Sequence, residues 1–316
     1  MNILVAVDPS QHAQEAIRFV KSMNWPKNSE IFLIHVLEMK LVPPLLPSYG
    51  PSSWDRVISQ VEGKMVKEAR IFLEKTKKEI LEQGPQSIKT IVVEGLPGAQ
   101  ILQAVKNYRI DLVILGTRGL SNIKRFLLGS TCDWVMREGA CSVLVIRGKL
   151  SQATMGKTAA KILLAADGSS GASCLVDMLG RLTFKTPPRV IVTHVVERPA
   201  FLEGWYWGKG KSEFKQFAEK VLEKAREDGA SHLNEMSQRV KGLNVDVRTI
   251  LNEGNPADVI LKTAEKLKTK LIIVGAKGHA ESPPGLLGGN ARKVARYAAC
   301  SVLVVRNLVG PCSPGS

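Results

Sequence analysis

The sequence predicts an α/β fold that occurs twice in tandem, each copy a doubly wound, parallel five-stranded sheet with helices on both faces. Three observations predict it. First, the 316-residue chain matches itself at one constant offset: Asp8 aligns with Asp167, His35 with His194, Gly95 with Gly254, Gly116 with Gly275, Gly129 with Gly288 and Cys141 with Cys300, each 159 positions on (167 − 8 = 159). That period is the size of a domain, far above the roughly 20–50 residues of solenoid repeats. Second, each copy holds five short runs rich in aliphatic and β-branched residues, and those of the first copy are near-continuously apolar rather than alternating, as in strands covered on both faces. Third, helical stretches separate these runs, and the order βαβαβαβαβ calls for right-handed crossovers and a parallel sheet.

In the first copy the expected strands are Ile3–Val7, Ile31–Val36, Thr90–Val93, Leu112–Leu115 and Val143–Ile146. The helices between them are Gln11–Met23, Trp54–Gln83, Pro97–Tyr108 and Ser130–Glu138. Pro97, and Pro256 in the second copy, stand where a first-turn proline is tolerated. The second copy repeats the strands at Ile162–Ala166, Val190–Val195, Val245–Ile250, Leu271–Val274 and Val302–Val305. Domains are expected over 1–150 and 161–308, with a linker over 151–160 and a C-terminal tail over 309–316.

Composition restricts the functional classes. A 44% hydrophobic, 23% charged chain is an ordinary globular one. No apolar run approaches the roughly 20 residues that span a bilayer, and Met1–Asp8 reads as a first strand, not a signal segment. The five cysteines are scattered without a CxxC pair, so a reducing cytoplasm is the expected setting. The net charge of +15 is spread over both copies without a block, which suits a solvated basic face better than a nucleic-acid groove. His35 and His194 end strands without a metal-ligand cluster nearby, so partly buried structural histidines are the expectation and no metal site is assigned. The unlike loops Lys40–Pro51 and Phe201–Lys211, the latter carrying Trp205-Tyr206-Trp207, are expected to pack on the protein rather than on a membrane.

The chemistry concentrates at two strand ends. In a doubly wound sheet, ligands bind beyond the carboxyl ends of the strands where the connection direction reverses. The first strand ends at Asp8, and the fourth runs into Gly116-Thr117-Arg118-Gly119, nine residues, then Gly129-Ser130-Thr131. Glycines after a strand permit close backbone approach, and a helix opening at Gly129-Ser130 presents unpaired N–H groups to an anion. Ser130 would cap that helix or donate to phosphate. A Walker A loop is absent, and no nucleophile elbow or general base accompanies the glycines.

These residues, the Glu-Gly-x-Pro segments at Glu94–Pro97 and Glu253–Pro256, and the Cys-Ser-Val-Leu-Val strands at Cys141 and Cys300 together resemble a tandem universal stress protein with two UspA-type domains. The resemblance covers residues 1–147 and about 160–306. It implies a Rossmann-like fold of the adenine nucleotide alpha hydrolase-like kind, with strand order 3-2-1-4-5. It also implies ATP as cofactor, with Mg²⁺ accompanying the phosphates. On it, Ala6, Val7 and Asp8 would meet the nucleoside, the backbone near Val36 the adenine, and Gly116, Arg118, Gly119, Gly129, Ser130 and Thr131 the phosphates. The second set would be Asp167, Val195, Gly275, Gly278, Gly288 and Gly289. The resulting expectation is a cytoplasmic ATP-binding stress-response or regulatory module. The resemblance also implies that the terminal strands at Ser142–Arg147 and Ser301–Arg306 pair with each other, which would hide both sheet edges and make an intrachain pseudo-dimer, with a homodimer of whole chains and an unidentified protein partner left open. A slow ATPase or phosphotransferase, or an interaction scaffold without nucleotide, are the alternatives.

The second loop departs from the first: Gly289 stands where Ser130 supplies a hydroxyl, and Pro283-Pro284 removes two N–H donors. One lost charge-assisted hydrogen bond costs about 1.5–3 kcal/mol, a tenfold or greater loss of affinity. At limiting ATP the first half is therefore expected to fill before the second, and equal filling in a site-resolved titration would contradict it.

Overall fold

The computed structural model describes residues 1–38, 51–81, 87–117, 128–148, 150, 159–168, 172–198, 212–277 and 287–306. The first half carries strands β1 (Asn2–Ala6), β2 (Glu30–Leu37), β3 (Ser87–Glu94), β4 (Leu112–Gly116) and β5 (Ser142–Ile146). Its helices are α1 (Gln11–Ser22), α2 (Pro51–Leu81), α3 (Pro97–Asn107) and α4 (Ser130–Glu138). The second half carries β6 (Lys161–Ala165), β7 (Arg189–Val196), β8 (Asp246–Glu253), β9 (Leu271–Gly275) and β10 (Ser301–Val305). Its helices are α5 (Ala172–Arg181), α6 (Ser212–Lys241), α7 (Pro256–Leu267) and α8 (Gly289–Tyr297). The expected linker, apart from its last two residues, and the C-terminal tail lie outside the described residues, as does Trp205-Tyr206-Trp207.

The strands form one ten-stranded sheet in the order β3-β2-β1-β4-β5-β10-β9-β6-β7-β8. Each half is parallel in the order 3-2-1-4-5, as expected. β3 and β8 run longer than the apolar runs suggested, because polar residues extend them along β2 and β7. Lys89 and Ser87 both reach Glu30, at 2.7 and 3.2 Å, which holds the polar start of β3 and lowers the Glu30 pKa. Pro97 and Pro256 do open α3 and α7, and each follows a glycine near φ +128°. Gly95 and Gly254 turn the chain out of the strand through a region that side-chain-bearing residues rarely enter.

β5 and β10 pair antiparallel and join the halves. Leu144 lies opposite Leu303, its own counterpart at the 159-residue offset (303 − 144 = 159), so a pseudo-twofold axis passes between them. Both strands are buried along their whole length. The core runs through the junction: Ile3, Ile17, Leu112, Ile162, Leu175 and Leu271 share one cluster on the α1 and α5 face. On the other face, Val113, Val135, Leu163, Ile272 and Val294 share a second.

Polar contacts repeat across the axis. The Arg147 guanidinium donates to the Ala298 and Arg296 carbonyls at the end of α8, at 3.1 and 3.4 Å. Arg306 does the same for Met136 and Arg137 at the end of α4, at 2.5 and 3.1 Å. Each half thus satisfies the other's last helical carbonyls, which have no intrahelical partner. The Arg147 amide donates to Ser301 Oγ and the Arg306 amide to Ser142 Oγ, at 2.9 and 3.1 Å. Burial pulls the Arg306 pKa below its ordinary value. Arg306→Met is expected to cost about 1–3 kcal/mol, since buried carbonyls lose a charged donor. Arg147→Met, at a more exposed end, should cost less, and urea unfolding midpoints would measure both.

Candidate functional site

The strand register assembles the predicted residues. β1 pairs β2 with Ala6 opposite Ile34, which sets Asp8 level with Val36. β1 pairs β4 with Val5 opposite Ile114, which sets Asp8 level with Thr117. The switch point of the first half therefore gathers Ala6, Val7, Asp8, Val36 and Gly116 at one sheet edge. Val7 is buried, while Ala6, Asp8 and Val36 are half-buried. Gly129 begins α4 there; Ser130 is exposed and Thr131 half-buried in its first turn. Arg118 and Gly119, and Gly278 in the second half, lie outside the described residues.

Three local findings refine the expected roles. Asp8 is more than a strand-end acid: its Oδ1 accepts from the Ser10 amide at 3.0 Å and from the Ser10 hydroxyl, while Ser10 Oγ caps α1 at Ala13 N. One carboxylate oxygen is thereby committed to holding the entry of α1. Ser130 does not cap α4. Gly129 is the N-cap, without a side-chain hydrogen bond, so Ser130 is the first helical residue and its hydroxyl leaves the terminal amides unpaired by capping. Gly116 has a packing role that the sequence did not show. A Cβ there would lie 2.7 Å from the His12 carbonyl carbon and oxygen at the start of α1. Cys132 Sγ donates to the Gly116 carbonyl at 3.0 Å and ties α4 to the end of β4; burial pushes that thiol up to about 12, so it is inert.

The second half shows the walls of the crevice. Asp167, Val195, Gly275, Gly288 and Gly289, all expected there, line a cavity of about 400 Å³. Its apolar lining comes from Ala165, Pro256, Ile260, Val274 and Val294, with Lys277 and Glu197 among its charged residues. That volume falls within the roughly 300–1,000 Å³ of small-molecule sites. Gly288 caps α8 at φ −61°, ψ 148° without a side-chain bond, and its own amide donates to Ala276 O at 2.8 Å. Gly289, Asn290 and Ala291, in the first turn of α8, also line the cavity.

His35 and His194 are half-buried at the strand ends, as expected, with Nδ1 on the Val7 and Ala166 carbonyls at 2.7 and 3.0 Å. His194 also lines the cavity, together with His232 of α6, which sequence reasoning missed.

The Universal stress protein family model matches residues 1–147 and 159–306, one copy in each half. The chain belongs to that family. Universal stress protein MJ0577 of Methanocaldococcus jannaschii is 30% identical over 156 residues, 47% of this chain and 96% of that protein. YxiE of Bacillus subtilis is 28% identical over 148 residues, 46% of this chain and 97% of YxiE. Among solved structures, a universal stress protein from Archaeoglobus fulgidus covers 96% of this chain and 98% of its own at 19% identity, with TM-score 0.63. One from Pseudomonas aeruginosa aligns over 97% of this chain and 93% of its own at 17% identity, also with TM-score 0.63. At that identity these two support the tandem fold alone. Among the described residues no helix is long and apolar enough to cross a membrane.

The Gly116 contact yields a test that needs no ligand. Gly116→Ala in this universal stress protein is expected to destabilise the ligand-free protein by about 1–3 kcal/mol through overpacking against His12, read from denaturant unfolding.

Proposed function

We propose that this universal stress protein is an adenine-nucleotide-binding regulatory module of the cytoplasm, holding ATP at the switch-point crevice of each half and more tightly in the first. The observation that carries this reading is the assembled second-half crevice. An acid, an apolar slot level with Val195 and the uncapped N-terminus of α8 line one nucleotide-sized cavity. The chemistry of the donors fits the ligand. Asp167 lines the cavity with a carboxylate suited to a ribose hydroxyl, the apolar walls suit a base, and backbone amides with Lys277 suit phosphate oxygens. The first half gathers the same positions and adds the Ser130 and Thr131 hydroxyls at the start of α4.

Nucleotide bound there would bridge the end of β1 to the start of α4. The surface offered to a protein partner then depends on nucleotide occupancy. The two crevices open on opposite edges of the sheet, because β5 and β10 run antiparallel, so one ligand cannot span both.

Two measurements test the reading. Mass spectrometry of small molecules released from purified protein is expected to find adenine nucleotide, reduced in Asp8→Ala more than in Asp167→Ala; release of none, with none retained after incubation in ATP and Mg²⁺, would refute it. Gly289→Ser is expected to raise second-half affinity about tenfold by restoring a hydroxyl, and among the described residues a Cβ at Gly289 meets nothing within 4 Å.

A further inference from the structure

A second cavity lies at the seam between the halves and shares no lining residue with the second-half crevice. Its volume is about 330 Å³, within the range of small-molecule sites. Arg147, Gly148 and Leu150, which follow β5, form one wall. The end of α7 with residues 268–270, and the end of α8 with residues 298–300, form the rest. The cavity therefore stands beside the starts of β9 and β10, whereas the crevice stands at the strand ends.

Positive charge dominates its lining. Arg147, Lys268 and Lys270 are set against one acid, Glu265. Both lysines are exposed, and neither pairs with an acid among the described residues. The floor is satisfied from within: Thr269 Oγ1 donates to the Ala264 carbonyl at 3.3 Å and stands 3.8 Å from Cys300 Sγ. Burial raises the Cys300 pKa, while Thr269, Arg147 and Lys270 pull it down, so both cations act on the floor. Leu261, Ala264, Tyr297 and Ala298 supply apolar sides.

At this floor the halves differ in sign. Lys270 corresponds to Asp111 (270 − 159 = 111), whose carboxylate accepts from the Asn2 amide at 2.7 Å and so serves the fold. Thr269 corresponds to Ile110 and Tyr297 to Glu138, while Lys268 keeps its charge as Arg109. Cys141, the counterpart of Cys300, is fully buried and pushed up to about 12, chiefly by burial, with Asp111 adding to the rise where Lys270 opposes it. The second half has thus exchanged a structural acid for a cation facing an open cavity.

We propose that the seam cavity binds a small organic anion, a carboxylate or phosphate on an apolar body. Lys268 and Lys270 meet the anion as point charges, and Leu261, Ala264 and Tyr297 meet the body. The site is composite, because Arg147 reaches it only across the β5–β10 pairing. It does not depend on nucleotide in the crevices.

Cys300 can report occupancy, since its half-buried thiol lines the cavity. N-ethylmaleimide labelling of the full chain is read at the Cys300 peptide by mass spectrometry. Benzoate or phenyl phosphate, at several times its Kd, is expected to slow that labelling about fivefold; the one that protects at lower concentration identifies the anion. Benzylamine, of like shape and opposite charge, should not protect, and inorganic phosphate should protect less than phenyl phosphate. Lys270→Asp, which copies the first half, combined with Lys268→Glu should raise the anion concentration needed about tenfold or more. The melting temperature should hold, because both side chains are exposed. Protection is taken as a ratio within each variant, so a change in thiol reactivity cancels. Protection by neither anion, equal protection by benzylamine, or protection unchanged in the double variant would overturn the proposal. A Cys300 that never labels in the ligand-free protein would also overturn it, since the cavity then admits nothing of this size. Inorganic phosphate protecting as well as phenyl phosphate would overturn the role of the apolar sides.

Discussion

The antiparallel pairing of β5 with β10 is the contact on which the rest of this molecule depends. Both strands are apolar and buried along their whole length, so neither could stand as an open edge. Pairing them merges two five-stranded sheets into one and makes the apolar layers on both faces continuous. The two arginines that follow these strands then reach across and satisfy the helix ends of the opposite half. A chain with one such domain would need a second molecule for this; here the repeat supplies the partner.

The same axis separates the two crevices. Positions related by it need no longer be identical, because they face each other within one chain. Asp133 of α4 and Arg292 of α8 are counterparts at the 159-residue offset and approach to 3.7 Å as opposite charges. Two like halves would set equal charges against each other at that point. The pair is half-exposed and so contributes little to stability. It marks a position where the two halves differ, as the loops at Ser130 and Gly289 also do.

Much of the fold was legible in the residues. The continuous apolar runs, the prolines at 97 and 256 and the strand-end acids located the sheet, the helix starts and the switch point, because each reflects a local constraint of backbone or burial. The strand order and the pairing of the terminal strands followed from the family resemblance. The limits of β3 and β8 were less legible, since outer strands carry polar residues that hydrogen-bond sideways, as Ser87 and Lys89 do with Glu30. The packing requirement at Gly116 was hidden for another reason: His12 is 104 positions away (116 − 12 = 104) and meets it only through helix docking.

The sequence by itself determined that one fold occurs twice, that each copy gathers an acid and a glycine turn at one sheet edge, and that the second loop lacks a hydroxyl. These are properties of spacing and residue type. Only the tertiary structure decided which groups face those edges from distant elements. His232 opposes His194 as Phe72 opposes His35, but at an offset of 160 (232 − 72 = 160), one residue out of the repeat register. Helix-to-sheet packing tolerates such a shift, whereas strand pairing does not, since one residue would turn every strand side chain to the other face. For that reason the strands could be aligned by eye along the chain, while the helical wall of the crevice could be found only in three dimensions.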